Sequence, residues 1–381
     1  MSRIDYLVAQ LCPDGVEYKR LGEVAKIKNG RDYKGLPEGD IAVYGSGGIM
    51  EARVGVSAYD KPTVLLPRKG SISNVFYVDK PFWNIDTAFY TVIDESQLIP
   101  RYFYHVMLAA HVENYSTGSA ARPSLTQSAL NKIEIPVPPM EIQQEIVKVL
   151  DSFIRLEAEL EAELEARRAQ YRYYRDQLLS FERERVQWLT LEECCKRICS
   201  GGTPSSKNAA YYGGDVPWIR TQDIDYTVIS TPSAYITQAG LESCSAKWIP
   251  ENSVIVAMYG ATAAKVAMTS IPVTTNQACC NLIANDEIAL PRYLFHWIAS
   301  QYQQLKALGE GSQNNISASK VRKFLIPVPS LDTQRQIVDV LDRFDALTTS
   351  LTDGLPAEIE ARRQQYAYYR DRLLALPRKS S

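Results

Sequence analysis

The sequence has few histidines and no cysteines spaced as Cys-x-x-Cys. Its three histidines, His105, His111 and His296, are too few for metal or acid–base chemistry that rests on several imidazoles. The seven cysteines are an odd number without the spacing of a zinc site or a disulfide framework, so we expect reduced thiols and no bound metal. His105 and His296 stand in apolar contexts, and we interpret both as structural residues.

Long apolar runs and a basic excess are also missing. No apolar stretch of about 18 or more residues is present, and the first residues lack the apolar core of a signal peptide, so we expect a cytoplasmic protein. The 42 Lys and Arg face 44 Asp and Glu, so the net charge of −2 does not itself point to nucleic acid. The 45% apolar and 23% charged fractions exclude global disorder, and 381 residues suggest two or three domains.

The usual signatures of catalysis are absent. The sequence has no Walker lysine loop, no Asn-Pro-Pro-aromatic methyltransferase motif and no acidic nuclease cluster that ends in lysine. Gly45-Ser-Gly-Gly48 is an isolated glycine cluster of the kind found in turns, and Gly260-Ala-Thr-Ala-Ala-Lys265 lacks the second glycine of a phosphate loop. We therefore predict a chain without catalytic residues and without a bound cofactor.

What the sequence does contain is a duplication. Ile135-Pro-Val-Pro138 recurs as Ile326-Pro-Val-Pro329, and 326 minus 135 gives an offset of 191 residues. Tyr173-Tyr-Arg-Asp176 returns as Tyr368-Tyr-Arg-Asp371, and 368 minus 173 gives an offset of 195. A repeat of this length indicates a duplicated, pseudo-twofold chain rather than a solenoid of short units.

The two most similar segments have the pattern of long helices. Apolar residues recur in steps of three and four along both, as in a helix that packs on another helix. At ~1.5 Å per residue each is about 60 Å long. We expect two long antiparallel helices in a coiled coil, with Ser330 as an N-cap and Gly354 and Pro356 kinking the second helix. The expected seam residues are Leu156, Leu160, Leu164, Tyr171, Tyr174, Leu351, Leu355, Ile359, Tyr366 and Tyr369.

The first helical segment contains a four-residue repeat. Residues 156–167 read Leu-Glu-Ala-Glu, Leu-Glu-Ala-Glu, Leu-Glu-Ala-Arg, and the offsets of 195 and 191 show that the second copy has four more residues in the corresponding stretch. We expect its apolar stripe to take one additional step of four, and each step adds about one helical turn, or ~6 Å. Two interpretations stay open: a coiled coil that has drifted by stutters, or a helix whose length is tuned as a ruler.

The remaining segments have the composition of mixed α/β domains. Runs such as Asn74-Val-Phe-Tyr-Val78 and Ser253-Val-Ile-Val-Ala257 alternate with glycine-rich turns, and each segment is long enough to bury a core. The predicted fold class is α/β (α+β), with two globular heads separated by the long helices and a chain that closes on itself in space. We expect heads over residues 1–139 and 183–329, and spacer helices over 140–182 and 330–378.

Two unlike heads on two similar helices suggest a molecule that reads two different things at a fixed separation. Half-sites one duplex turn apart lie ~34 Å from each other, within reach of such helices. Polar and basic loop residues are the candidate readers, although any single one is also compatible with a solvated loop side chain. In the first head the candidates are Lys28, Asn29, Arg31, Lys34, Arg68, Lys69, Ser71 and Arg122. In the second head they are Thr203, Ser205, Lys207, Arg220, Gln222, Tyr259, Lys265, Gln313 and Asn314.

Several motifs together resemble one known family. They are Pro-Val-Pro-Pro-x-x-x-Gln, Tyr-Tyr-Arg-Asp-x-Leu-Leu, Leu21-Gly-Glu-Val24, Val43-Tyr-Gly-Ser-Gly-Gly48, and Gly201-Gly-Thr-Pro-Ser205 with Pro217-Trp-Ile219. Over essentially the whole chain, the sequence resembles the specificity subunit of a type I restriction–modification system. Gly202-Thr-Pro-Ser205 is matched only in the second head, where the first has Asn29-Gly-Arg-Asp32, so the heads should prefer different half-sites.

The resemblance implies that each head is a target recognition domain for one half of a bipartite double-stranded DNA site. It further implies that the helices form a spacer and that the same seam residues help to dock two methyltransferase subunits, which restriction and translocase subunits then join. S-adenosylmethionine, ATP and Mg²⁺ would be used by those partners and not by this chain. Two alternatives stay open: a scaffold that joins two protein-binding heads without touching DNA, and a self-contained DNA-modifying enzyme.

Overall fold

The structure is a computed structural model that describes residues 2–117, 123–310, 315–350 and 353–379. The elements before and including the first long helix are α1 Arg3–Leu11, β1 Glu17–Arg20, α2 Leu21–Val24, β2 Ala25–Asn29, β3 Ile41–Gly45, β4 Gly48–Val54, β5 Thr63–Pro67, β6 Phe76–Val78, β7 Phe82–Asn84, β8 Ala88–Ile93, α3 Pro100–Ala109, α4 Gln127–Leu130, β9 Glu134–Val137 and α5 Met140–Leu178.

The second half of the chain repeats this order with small additions. Its elements are β10 Gln187–Thr190, β11 Cys195–Ser200, β12 Tyr212–Ile219, β13 Val228–Ile229, β14 Tyr235–Ile236, α6 Gln238–Glu242, β15 Val254–Ala257, β16 Val266–Thr269, β17 Thr274–Thr275, β18 Cys279–Ala284, α7 Pro291–Ser300, α8 Tyr302–Ala307, α9 Ala318–Arg322, β19 Leu325–Val328, α10 Leu331–Thr349 and α11 Leu355–Leu374. Within the described ranges, no helix combines the length and hydropathy needed to cross a bilayer.

The chain divides into two compact units. The first comprises residues 1–162 together with 357–381, and the second comprises residues 163–356. One boundary therefore falls inside α5 and the other inside the first turn of α11. Each unit combines one head with parts of the long helices, whereas the sequence suggested a division between heads and helices.

The two heads contain sheets with equivalent strand orders. In the first head the strand orders are β2-β8-β5-β6 and β4-β3-β7, and in the second they are β11-β18-β15-β16-β13 and β14-β12-β17. A two-stranded antiparallel sheet, β1 with β9 or β10 with β19, completes each head. The duplication therefore extends through the heads, where sequence similarity is faint, and β13 is the one additional strand of these sheets.

The cores explain why the central strands are continuous apolar runs. In β5 every residue from Thr63 to Pro67 is buried, as is every residue of β15. One face of the β5 sheet packs against α3, whose Tyr102, Phe103 and Met107 are fully buried. A strand covered on both faces has no solvent side on which polar residues alternate, which is the pattern of Val64-Leu-Leu66.

The start of α10 confirms one capping prediction. The Ser330 hydroxyl accepts a hydrogen bond from the backbone N–H of Thr333 at 3.2 Å, as expected of an N-cap. Hydroxyl side chains are suited to this position because they satisfy one of the free amides of the first helical turn.

The second long helix is broken, not kinked. The expectation of one helix over 330–378 is wrong, because α10 ends at Thr349 and α11 begins at Leu355. Pro356 has no N–H and cannot continue a helix through this point. A Cβ atom on Gly354 would lie 2.7 Å from the carbonyl oxygen of Ala346, so this residue fits against the end of α10 only as glycine. The four additional residues of the second copy fall in the stretch that contains this break and do not add a helical turn.

In the first unit the long helices run antiparallel. Phe153 stacks on Tyr369 at 5.4 Å, and further along α5 both Glu157 and Glu161 pair with Arg363, which precedes Tyr369 in sequence. In the second unit Tyr171 and Tyr174 of α5 pack on Phe344 of α10, at 6.2 and 5.7 Å between ring centres.

The chain closes on itself in the first unit. The backbone N–H of Val16 donates to the carbonyl of Pro377 at 2.7 Å, and the N–H of Lys379 donates to the carbonyl of Val16 at 2.9 Å. The segment after α11 thus lies beside the start of β1, as expected for a chain closed in space.

Candidate nucleic-acid interface

Most of the described candidate readers of the first head lie near the β7–β8 connection at one end of its sheets. The backbone N–H of Arg31 donates to the carbonyl of Asn84 at 2.9 Å, and that of Arg68 donates to the carbonyl of Thr87 at 2.8 Å. The last residue of β7 and the connection between β7 and β8, residues 85–87, therefore contact two groups of candidates, one at the end of β2 and one after β5.

The group at the end of β2 lines a cleft of about 450 Å³. Lys28, Asn29 and Arg31 form part of its wall, together with the aromatic rings of Trp83 and Tyr90. Among the described residues neither Lys28 nor Arg31 has an ion-pair partner, so both cations are available to a phosphate. Cations beside partly accessible aromatic rings, as here, are a common composition of nucleic-acid clefts.

Asn29 and Lys34 are placed differently from each other. The Gln127 amide donates to Oδ1 of Asn29 at 3.2 Å, which orients the Asn29 side chain. Lys34 lines a separate shallow cleft with Glu51 and Arg53. The structure therefore does not bring Lys34 together with the other candidates near the end of β2.

The group after β5 is partly neutralised within the head. Lys69 Nζ lies 3.4 Å from a carboxylate oxygen of Asp86, and the guanidinium of Arg68 lies 5.8 Å from the centre of the Phe89 ring. Ser71 is exposed in the turn that follows. Arg122 lies outside the described residues.

In the second head the corresponding loops carry other side chains. The Thr203 hydroxyl donates to Oε1 of Gln277, which lies in the connection between β17 and β18. Ser205 and Lys207 are exposed in the loop that follows Thr203, and Lys207 has no ion-pair partner in the described part of the chain. Gln313 and Asn314 lie outside the described residues.

Arg220 and Gln222 lie together after β12. Arg220 donates from its guanidinium to the Ser233 hydroxyl at 3.0 Å, and the Gln222 amide lies 3.4 Å from the same oxygen. Arg220 Nε is buried and has no hydrogen-bond partner among the described residues. Arg220 is therefore fixed by the head on one side while its other nitrogens remain near the surface.

Tyr259 and Lys265 complete the candidates of the second head. Tyr259 is exposed after β15. Lys265 Nζ lies 2.6 Å from a carboxylate oxygen of Asp225 and 5.8 Å from the centre of the Tyr226 ring. Because its charge is already paired, Lys265 is a weaker candidate for phosphate than Lys207.

Glycines fix the same backbone path in both heads. A Cβ atom on Gly30 would lie 2.0 Å from a carbonyl oxygen just after β7, and one on Gly201 would lie 1.9 Å from the last carbonyl oxygen of β17. Gly70 and Gly260 both have a φ of 80°, a conformation that glycine adopts without strain. Equivalent loops are thus built on equivalent frames and present different side chains.

Each head is joined to a long helix by a buried histidine. His105 and His296 are fully buried, and their Nε2 atoms lie 2.8 and 2.6 Å from Asp151 and Asp342, respectively. Burial lowers the pKa of His105, so the ring is neutral at pH 7 and donates from Nε2 to the Asp151 carboxylate. Tyr366 then donates to Nδ1 of His105 at 3.0 Å.

An arginine completes each of these joints. Arg101 Nε donates to Asp151 at 2.9 Å, and Arg292 donates to Asp342 at 2.6 Å and to Asp345 at 2.8 Å. Burial would raise the pKa of Asp151, but the hydrogen bonds from His105 and Arg101 outweigh it and hold that pKa below its usual value. These contacts are typical of a structural joint.

In each unit a buried glutamine of the long helix makes a second set of hydrogen bonds to the head. Gln143 Oε1 accepts from the backbone N–H of Ile99 at 2.8 Å, and its Nε2 donates to the carbonyls of Gln97 and Pro138 at 2.8 and 2.9 Å. Gln334 makes the equivalent three bonds at 2.9 Å each. The Gln of the Pro-Val-Pro-Pro-x-x-x-Gln motif is therefore a fastening between helix and head.

Two matching patches of exposed and half-buried apolar side chains lie on the long helices. The first patch consists of Phe153, Leu156, Tyr368 and Tyr369, and the second consists of Phe344, Leu347, Tyr173 and Tyr174. Tyr368 and Tyr173 are 58% and 62% exposed, and Leu156 and Leu347 are 42% and 37% exposed. Large apolar side chains exposed in the same arrangement in both units indicate interaction surfaces.

The comparisons with known proteins agree with these observations. A family model described as "Type I restriction modification DNA specificity domain" matches the chain twice, over residues 13–166 and 184–361. The chain belongs to this family of type I restriction–modification specificity subunits. It is 34% identical over 402 aligned residues to the specificity subunit of the Escherichia coli type I restriction enzymes EcoR124I/EcoR124II, covering 99% of this chain and 98% of that protein.

Solved structures have the same fold. The S subunit of a type I restriction–modification system from M. genitalium matches with a TM-score of 0.59 at 17% identity, over 94% of this chain and 96% of that one. A chain from a structure of type I R-M complex assembly matches with a TM-score of 0.60 at 16% identity, over 94% and 97%. Two target recognition domains and long spacer helices are the architecture of this specificity subunit. Specificity subunits are non-catalytic, and the catalytic activities lie in partner subunits.

The structure sorts the expected seam of the specificity subunit into three groups. Leu164, Leu355 and Ile359 are buried, and Leu160, Tyr171 and Tyr366 are half-buried. Tyr174 and Tyr369 stack on a phenylalanine of the facing helix but remain 40% exposed. Leu156 is 42% exposed and belongs to the first patch. Leu351 lies outside the described residues.

Sequence reasoning missed several residues of the specificity subunit. Tyr173 and Tyr368 were passed over because they lie off the apolar stripe, although an exposed Tyr-Tyr pair repeated in both halves was a signal. Asp86 and Gln277, which contact the candidates Lys69 and Thr203, were not among the candidates, although 277 minus 86 gives the same offset of 191 residues as the Ile-Pro-Val-Pro motifs.

Proposed function

We propose that the two heads of this specificity subunit each read one half of a bipartite double-stranded DNA site. The observation that carries this proposal is that equivalent loops of the two heads follow the same backbone path but carry different side chains. Two different half-sites require recognition surfaces of this kind, with a common backbone and unlike side chains. Phosphate contacts from Lys28, Arg31 and Lys207 position the duplex, and neighbouring polar side chains reach base edges.

The long helices of this chain dock two methyltransferase subunits, which restriction and translocase subunits then join. The two patches support two copies of one partner because they match in composition and in exposure. S-adenosylmethionine, ATP and Mg²⁺ are used by those partners, and the complex acts in the cytoplasm.

The test is the methylation pattern produced by the reconstituted methyltransferase complex. Long-read sequencing of methylated DNA is expected to give one bipartite motif, and replacing residues 16–135 by the head of another specificity subunit is expected to change one half of it. A complex that methylates without sequence preference favours the scaffold alternative, and methylation by this chain alone favours the enzyme alternative.

Phosphate contact has its own test. Lys28→Ala combined with Arg31→Ala is expected to weaken DNA binding uniformly across sequences and to lower the slope of log affinity against log salt by about two. Lys34→Ala is the matched control, because Lys34 lies in a different cleft. Equal effects of the two changes would contradict the assignment of the cleft.

A further inference from the structure

One exposed position is equivalent in the two heads and is held by backbone hydrogen bonds on both sides. Asp86 lies in the β7–β8 connection and Gln277 in the β17–β18 connection, and both are exposed while their neighbours are half-buried or buried. The residue before each donates its backbone N–H to the strand alongside, Ile85 to Tyr44 and Asn276 to Ile219, at 2.9 Å in both cases.

The backbone on the far side of each connection is also fixed. The N–H groups of Arg68 and Lys69 donate to the carbonyl of Thr87 at 2.8 and 3.2 Å, and the N–H of Met258 donates to the carbonyl of Ala278 at 2.8 Å. Asp86 and Gln277 are therefore side chains on rigid backbone at the end of the head where the candidate readers gather. A rigid support is what a hydrogen bond to a base edge requires.

The side chains themselves are oriented from a neighbouring loop. Lys69 Nζ lies 3.4 Å from Oδ2 of Asp86, and the Thr203 hydroxyl donates to Oε1 of Gln277. The lysine leaves carboxylate lone pairs free and offsets the repulsion between this carboxylate and DNA phosphates. The threonine engages the amide oxygen and so turns the two Nε2 hydrogens of Gln277 outward.

We propose that Asp86 and Gln277 are base-reading residues of the first and second head, with Lys69 and Thr203 as their positioning residues. This inference rests on the proposed reading of two half-sites. A carboxylate only accepts, so Asp86 selects a base with an exocyclic amino group, such as cytosine N4 in the major groove. The outward amide of Gln277 donates, so it selects an acceptor such as purine N7 or guanine O6.

The experiment measures base preference with the reconstituted methyltransferase complex on DNA libraries in which one half-site at a time is randomised. Asp86→Asn is expected to change the preference about tenfold at one base pair of one half-site, and Gln277→Glu to do the same in the other half. Asp79→Asn and Gln187→Glu are matched controls, since both residues are exposed at other parts of the heads and should leave both halves unchanged.

The positioning residues give a second readout. Thr203→Val is expected to relax the base preference at the base pair that Gln277→Glu alters. Thr203→Ser keeps the hydroxyl and is expected to show the wild-type preference. Lys69→Ala is expected to relax the Asp86 position, whereas a mere phosphate contact would weaken all sequences equally and reduce the salt slope. An unchanged preference at both positions, or changes spread over both halves, would overturn the inference. A wild-type complex without any bipartite preference would instead overturn the proposed function.

Discussion

The fastening glutamines allow a sharp test of how head and helix are held together. Gln143 is fully buried on α5 and makes all three of its hydrogen bonds to backbone groups that precede the helix. Gln143→Ala removes the three bonds and leaves the N–H of Ile99 and two carbonyls without partners in a site closed to water.

The expected loss follows from the number of bonds. A buried hydrogen bond contributes about 1 kcal/mol net, and a donor left without a partner costs more, so three bonds give a loss of unfolding free energy of about 3 kcal/mol. Gln334→Ala should cost the second unit a similar amount, because its three bonds have the same pattern. Gln144→Ala on the same turn of α5 should change the free energy by less than about 0.5 kcal/mol, since that side chain is exposed.

Denaturant unfolding of the intact chain, followed by tryptophan fluorescence and by circular dichroism, measures these differences. The two probes show whether the units unfold in one transition or in two, which decides how the free energies are extracted. A loss below about 1 kcal/mol for Gln143→Ala, or an equal loss for Gln144→Ala, would refute the reasoning that these glutamines fasten the heads.

Three further predictions concern docking, spacing and pH. Tyr173→Asp and Tyr368→Asp should each weaken methyltransferase binding by about thirtyfold or more, because each replaces an exposed aromatic side chain of a patch by a charge. Isothermal titration should show one lost binding site for each change. Two retained sites would contradict the docking role of the patches. Deleting residues 157–160 removes ~6 Å of helix and should shorten the spacer of the methylated motif by one or two base pairs at ~3.4 Å each, whereas an unchanged motif would speak against the ruler. The pKa of buried His105 lies below its unfolded value, so the unfolded chain binds more protons and the free energy of unfolding should fall as pH drops through about 6.5. His105→Gln should remove that part of the pH dependence. An unchanged profile of unfolding free energy against pH would contradict the neutral buried ring.

The sequence predicted the parts of the fold that depend on local pattern. The apolar steps of three and four identified α5, and the hydroxyl at Ser330 identified the start of α10, because both signals act within a few residues along the chain. The equal strand orders of the two heads were not predictable from side chains, because the frame is held by backbone hydrogen bonds and by glycines such as Gly30 and Gly201, which leave little trace in composition.

The candidate readers were predicted less completely than the fold. Lys28 and Arg31 do share a cleft, since both lie at the end of β2 or just after it, whereas Lys34 lies apart in a cleft with Glu51. Whether a cation is free depends on a partner distant in sequence, as for Lys265 with Asp225. Such pairing depends on tertiary structure, so the sequence could not distinguish paired from unpaired cations.

The contact of Arg363 with the four-residue repeat bears on the two interpretations of that repeat. Its guanidinium pairs at 2.6 Å with both Glu157 and Glu161, which occupy the same position in consecutive Leu-Glu-Ala-Glu steps. Each pair is partly solvent-exposed and contributes at most about 1 kcal/mol, so these pairs favour a register without fixing it alone. A change of four residues leaves the next repeat glutamates, up to Glu165, on the same helix face, whereas a change of one residue turns them about 100° away. A coiled coil that drifts by stutters has no reason to keep the repeat glutamates facing Arg363. A helix that changes length in whole four-residue steps keeps them there at every length, so the contact favours the interpretation of the helix as a ruler.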